Sequence, residues 1–345
     1  MKNSLHHRHL PALVFALFLG GGRVDAAGAP GPDQDETVIR AAIMKSLPLL
    51  TAGARGSMEQ RGRCFTCHSQ ALPIMALGVA RSRGFEIDSE ELTRQLEFTA
   101  AFLHRNREVL SKGKGLGGQV NTAGSALEAL AASGWKPDET TAAAAEYLLL
   151  WQKNLPHWRP SSQRPPTQSS PFTATYLALL GLRNFGTEDQ STRIAERFER
   201  ALEWLKASNP KDTEDHVFRL RALRIAGATE AVDVATQELL KRQGADGGWS
   251  QLPDLASDPY ATATALTALH EAGGLLTGDS AYMKGVRFLL GAQLEDGSWR
   301  VATRSKPIQT YFESGYPHGK DQFISITAAS WATMALALTL PKTNP

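Results

Sequence analysis

Cysteine is almost absent, with two in 345 residues, which excludes a disulfide-stapled scaffold. Neither sign of charge dominates, since 37 Lys and Arg face 35 Asp and Glu. No polybasic run stands out, so nucleic acid is not the expected partner. Alternating β-branched runs are scarce, so strands beyond short pairs in loops are not expected. Past the N-terminal region no segment is apolar enough to span a bilayer. What the chain does have is an ordinary globular composition: 42% hydrophobic and 21% charged residues, with 30 Gly and 18 Pro. That excludes a disordered, collagen-like or coiled-coil chain.

The first 26 residues read as a cleavable export signal. Lys2 and Arg8 supply a positive start, Leu10–Gly20 is an apolar stretch of signal-peptide length, and Val24-Asp25-Ala26 offers small residues for cleavage. Cleavage would leave a formally neutral mature chain, placed in the periplasm or secreted. Residues 27–35 read as a flexible linker.

From residue 36 to about 340 apolar residues recur at i, i+3, i+4 and i+7, the helical period. An internal repeat organises these helices. Leu239-Leu240-Lys241-Arg242-Gln243 leads to Asp246-Gly247-Gly248-Trp249, and Leu289-Leu290-Gly291-Ala292-Gln293 leads to Asp296-Gly297-Ser298-Trp299. A weaker copy runs from Leu148 through Gln152 to Trp158. The loop Trp is read as a structural plug, with the Gln amide serving helix-end backbone groups. An Ala/Thr-rich helix follows each such loop. Sorting by this alternation gives outer helices near 36–50, 89–106, 139–152, 190–207, 231–242 and 279–292. The inner set lies near 67–82, 121–133, 171–184, 214–226, 258–272 and 322–338. Six and six predict an all-α fold, a closed α6/α6 toroid with one ring of helices inside another.

The Gln…Asp-Gly-Gly-Trp and Gln…Asp-Gly-Ser-Trp copies resemble the repeats of squalene–hopene cyclases, and the chain resembles the terpenoid-cyclase and protein-prenyltransferase toroid superfamily. The stretch Tyr311–Gly319 and the Cys-x-x-Cys-His segment also resemble exported bacterial toroid proteins of unassigned activity. The resemblance implies the fold; toroids host many chemistries, so it does not fix the activity.

In such a barrel the inner helices start at one shared mouth, where free N–H groups favour anions. Ser170 and Asp258, each followed by Pro, read as helix caps. The strongest chemical signal there is Cys64-Phe65-Thr66-Cys67-His68, which matches covalent haem c attachment with His68 as iron ligand. His318, His216 and Met75 are the candidate distal ligands. Three alternatives stay open. One is a Cys64–Cys67 disulfide or redox pair. Another is a zinc site completed by His216 or His318. The last is a Cys67–Gln70 thioester, because Cys67-His68-Ser69-Gln70 has the spacing found in toroid domains of the complement and macroglobulin families.

A second signal is Asp212-Thr213-Glu214-Asp215, which resembles the Asp-x-Asp-Asp acid motif of squalene–hopene cyclases. The resemblance implies a proton donor at the middle position, here Glu214, with Asp215 beside it as a further acid/base candidate. The chain lacks the length for those enzymes' second helical domain, so polyene cyclisation is not expected. Protein prenyl transfer is not expected either. The loop carrying Arg159 and Arg164 enters the same rim, as a rigid connection or an anion clamp. The expectation is a cavity for a small-molecule or lipid-like ligand, with a redox or acid/base role; the sequence names no redox partner.

Overall fold

Helix follows helix because Ala, Leu and Thr recur at helical spacing between Gly- and Asp-rich turns. A computed structural model describes residues 32–307 and 310–343. The predicted signal peptide and most of the predicted linker lie outside them. The outer helices are α1 (Pro32–Arg61), α3 (Ser89–Arg105) with its short extension α4 (Arg107–Ser111), α6 (Glu139–Leu150), α8 (Ser191–Ala207), α10 (Thr229–Leu240) and α12 (Ser280–Ala292). The inner helices are α2 (Leu72–Arg81), α5 (Gln119–Ala132), α7 (Pro171–Phe185), α9 (Thr213–Ile225), α11 (Pro259–Glu271) and α13 (Gln322–Ala337). Each inner helix packs on the next, and α13 returns to α2, so the inner ring closes. The described residues form no strand, only isolated bridges at Arg164–Gln168 and Ser250–Ser257.

The tryptophan repeats stitch this double ring. Trp158, Trp249 and Trp299 are fully buried. Their indole N–H groups donate to the carbonyls of Leu148, Leu239 and Leu289, at 2.9, 2.9 and 2.8 Å, and so satisfy carbonyls at the ends of outer helices. Gln243 Nε2 donates to the carbonyl of Ala281, and Gln293 Nε2 to that of Ala42, each at 2.8 Å. Each glutamine thus ties its loop to the next outer helix, and the second closes the outer ring onto α1. In the weaker copy Gln152 turns inward on its own loop. Arg197 crosses over Trp158 and donates to the carbonyls of Gln152, Lys153 and Leu155 instead. Gly297 sits at φ 88°, where an added Cβ would lie 2.6 Å from the Lys45 carbonyl; only glycine lets the loop approach α1 so closely.

Two elements differ from the sequence reading. Helix α1 runs on past Pro48 to Arg61, because Leu50, Ala54 and Ser57 remain buried on its inner face, and packing outweighs the lost hydrogen bond. The helix expected from residue 67 begins as a π-turn, Cys67–Ala71, in which Leu72 N–H reaches back to the Cys67 carbonyl. Pro73 follows with no N–H to offer, so the first turn is wide. Such turns recur at functional sites.

Candidate functional site

All six inner helices contribute to a chamber on the toroid axis. Its walls are Cys67, His68, Ala71 and Leu72 beside α2; Asn121, Ser125 and Glu128 of α5; Thr173 and Leu177 of α7; Glu214 and Phe218 of α9; Tyr260 of α11; and Trp331 of α13. The i, i+4, i+7 spacing on α5 puts its three contributors on one stripe. The chamber holds about 50 Å³, room for a few waters.

Glu214 is its central acid. Only 4% of the residue is exposed. Thr173 Oγ1 donates to Oε1 at 2.7 Å and Tyr260 OH to Oε2 at 2.6 Å. Burial pushes the carboxyl up to about 8; the two hydroxyls pull it back, and the Asp212 and Asp215 charges push further. At neutral pH the group therefore carries its proton. Asp212 caps α9 by accepting from Asp215 N–H at 2.9 Å. Asp215 does not face the chamber: it accepts from Ser170 Oγ at 2.6 Å and Lys211 N–H at 3.0 Å, a structural post. Ser170 and Asp258 cap α7 and α11 as the sequence predicted.

The strap 159–170 roofs the chamber. Gln168 Nε2 donates to Cys67 Sγ at 3.0 Å, and Ser305 Oγ pins the strap by donating to the Pro165 carbonyl at 2.8 Å. Burial raises the Cys67 thiol above its ordinary range, partly offset by Gln168 and Arg164, so it is held as a thiol rather than an activated thiolate. Burial, then the charges of Arg164 and Arg61, push the His68 imidazole down to about 3. Its Nε2 is buried without a hydrogen bond. Its ring meets the Phe323 ring edge-on at 5.1 Å.

His68, Thr167 and Gln168 also border an outer vestibule of about 390 Å³ above the strap. At the other end of the chamber a buried cluster forms the floor. Arg221 Nη2 donates to Tyr176 OH at 2.7 Å, Tyr176 OH donates to Glu128 Oε1 at 2.9 Å, and Arg221 lies 3.7 Å from Glu128 and 3.6 Å from Glu271. The guanidinium also lies over the rings of Tyr176, Phe218 and Trp331. Burial raises the Glu128 carboxyl, with Arg221 opposing. Beyond this floor lies a separate hollow that Met75 lines, so Met75 is on the side away from His68's vestibule.

The predicted meeting of Cys67, His68, His216 and His318 does not occur. Neither His216 nor His318 lines the chamber or the vestibule. His216 lies 3.9 Å from Glu238, pushed down to about 4 by burial and by Arg242 and Arg219. His318 shares a 2.8 Å hydrogen bond with Ser298 in the last tryptophan loop. Among the described residues no three His, Cys, Asp or Glu side chains converge as a metal site, so the proposed zinc set is not assembled. Both cysteines are free, Cys64 exposed and Cys67 turned inward. Gln70 Oε1 accepts from Thr66 N–H at 2.6 Å. Haem c needs both thiols at the edge of one porphyrin. Cys64 borders neither space, and the chamber holding Cys67 is far smaller than a porphyrin, so only the free Nε2 of His68 suits the group.

Sequence reasoning missed the partners of Glu214 and the floor. Glu128 and Arg221 carried a signal, as charges inside otherwise apolar inner helices. Gln168 carried none.

No protein-family model and no curated protein matches this sequence significantly. Solved structures do share its architecture. A point variant of the type II terpene cyclase MstE from Scytonema, in complex with its product merosterolic acid A, has a TM-score of 0.55 at 14% identity, covering 89% of this chain and 98% of that one. Another MstE variant, in complex with its substrate geranylgeranyl dihydroxybenzoate, has a TM-score of 0.53 at 14% identity, covering 89% and 99%. A protein from Actinoplanes has a TM-score of 0.57 at 15% identity, covering 87% and 98%. At these identities the likeness shows the fold alone, and the chain is an α/α toroid.

Proposed function

We propose that the protein is an acid catalyst that protonates the electron-rich end of a lipid-like molecule entering the axial chamber, with Glu214 as proton donor. The observation that carries this reading is a carboxyl held in its acid form at neutral pH, at the centre of a chamber that every inner helix helps to build. The lipid-like class is supported by the ligands of the structurally similar MstE. The chemistry follows from the walls. As the proton leaves, Tyr260 and Thr173 already aim hydroxyls at the carboxylate that remains. Phe218 and Trp331 give the chamber an aromatic wall, with the Arg221 guanidinium over both rings. A chamber of about 50 Å³ takes only a short unsaturated end. The reading includes export through residues 1–26, supported by their charge and apolar pattern.

The test is isotopic. In heavy water the exchangeable proton of Glu214 becomes a deuteron, and donation leaves it on carbon. Geranylgeraniol and geranylgeranyl dihydroxybenzoate are incubated with the protein and analysed by mass spectrometry. Deuterium on carbon with the wild type, lost in Glu214→Gln, supports the reading. Absence of label in both compounds, or equal label with the variant, overturns it.

A further inference from the structure

The vestibule has a chemical polarity of its own. Arg164, Lys306 and Lys320 line it, together with Thr303, Ser305, Thr310 and Tyr311, and no Asp or Glu does. None of the three cations has an ion-pair partner within 4.0 Å among the described residues. Arg164 spends Nη1 on Gln168 Oε1 at 3.2 Å, and its Nε is buried with no partner. The charge of Lys320 acts on Asp321, but that carboxylate is already held by Arg300 at 3.2 Å and Thr303 N–H at 3.0 Å. Three cations therefore line one space without an ion pair of their own among the described residues, while the neighbouring carboxylates are taken up elsewhere, Asp321 by Arg300 and Glu313 by Tyr311 and Gln322. Directly below, past His68, Thr167 and Gln168, the chamber wall turns to Ala71, Leu72, Leu177, Phe218 and Trp331. A molecule lying along the axis meets positive charge first and apolar surface next.

We propose that the vestibule is a subsite for an anionic head group, a carboxylate or phosphate, and that the ligand is an amphiphile whose apolar end passes into the chamber. The proposal takes the placement of the ligand from the function proposed above and supplies its class. The chain's own geometry favours this occupant over a neutral lipid, because unpaired cations around a concave site attract and orient an anion. Thr303 adds a hydroxyl at the same rim, a donor that suits oxyanions.

The experiment measures binding rather than turnover, and uses the full chain carrying Glu214→Gln, so a failed proton transfer and a failed head-group site are told apart. Dodecanoate, dodecyl phosphate, dodecanol and dodecyltrimethylammonium are titrated calorimetrically below their micelle concentrations, alongside inorganic phosphate. At least one anionic amphiphile is expected to bind about tenfold or more tightly than dodecanol, with the gap closing as salt is raised. The tighter of the two anions names the head group. Lys306→Glu combined with Lys320→Glu is expected to erase the preference and leave dodecanol binding unchanged. Dodecanol or the ammonium compound binding as tightly as both anions would overturn the proposal. So would a preference that survives the double substitution, or no binding by any amphiphile. Inorganic phosphate binding as tightly as dodecyl phosphate would overturn the amphiphile.

Discussion

The Tyr260 hydroxyl stands 2.6 Å from Oε2 of Glu214, and Thr173 holds the other oxygen at 2.7 Å. Three consecutive inner helices, α7, α9 and α11, thus meet on one carboxyl. The hydroxyls fix where it points, and burial decides that it keeps its proton.

That proton couples stability to pH. Glu214 has a folded value near 8 against an ordinary 4.5, so between these values the native chain binds more protons than the unfolded one, and its stability falls as pH rises. Glu214→Gln lacks this dependence. From pH 5 to 8 the wild type should lose on the order of 4 kcal/mol relative to the variant, and little more above that. Denaturant melts of both proteins across this range check it. A constant difference would contradict it.

The two thiols should differ in reactivity. Cys64 is exposed and Cys67 lies beneath Gln168. A disulfide-exchange reagent should modify Cys64 rapidly and the half-buried Cys67 more slowly, and Gln168→Ala should speed the second reaction. Two equally fast thiols would contradict this arrangement, and so would none in freshly purified protein.

Arg221 should matter to the fold through the acid it faces. Arg221→Met leaves Glu128 buried without its counter-charge and should cost about 3–5 kcal/mol. Adding Glu128→Gln should restore much of that loss, as a thermal melt would show. Additive losses would contradict the coupling.

Co-expression with a working haem-attachment system should yield colourless protein, because Cys64 and Cys67 do not share a cavity. A Soret band that survives acid–acetone extraction would contradict this.

The double ring was legible because its signals are local: Gln and Trp six residues apart, Ala/Thr helices after each loop, caps before Pro. Glu214 was singled out through its motif, and it lines the chamber. The direction of side chains at the mouth was not read, although helix geometry held part of it. With Glu214 pointing inward, His216 lies roughly 200° around α9 and must point outward, where it meets Glu238. His318 precedes α13 by a short 3₁₀ turn, Gly319–Asp321, and is drawn to Ser298 instead. Cys64 precedes the π-turn that aims Cys67 into the chamber, so adjacency in sequence did not become adjacency in space. The strap residue Gln168 reaches Cys67 across 101 positions, a contact no local pattern encodes.

The protonation of Glu214 itself is the point to measure. Infrared difference spectra of wild type minus Glu214→Gln, titrated from pH 5 to 10, should show a protonated carboxyl band that disappears with a midpoint near 8. A difference spectrum showing an ionised carboxylate already at pH 6 would contradict the account.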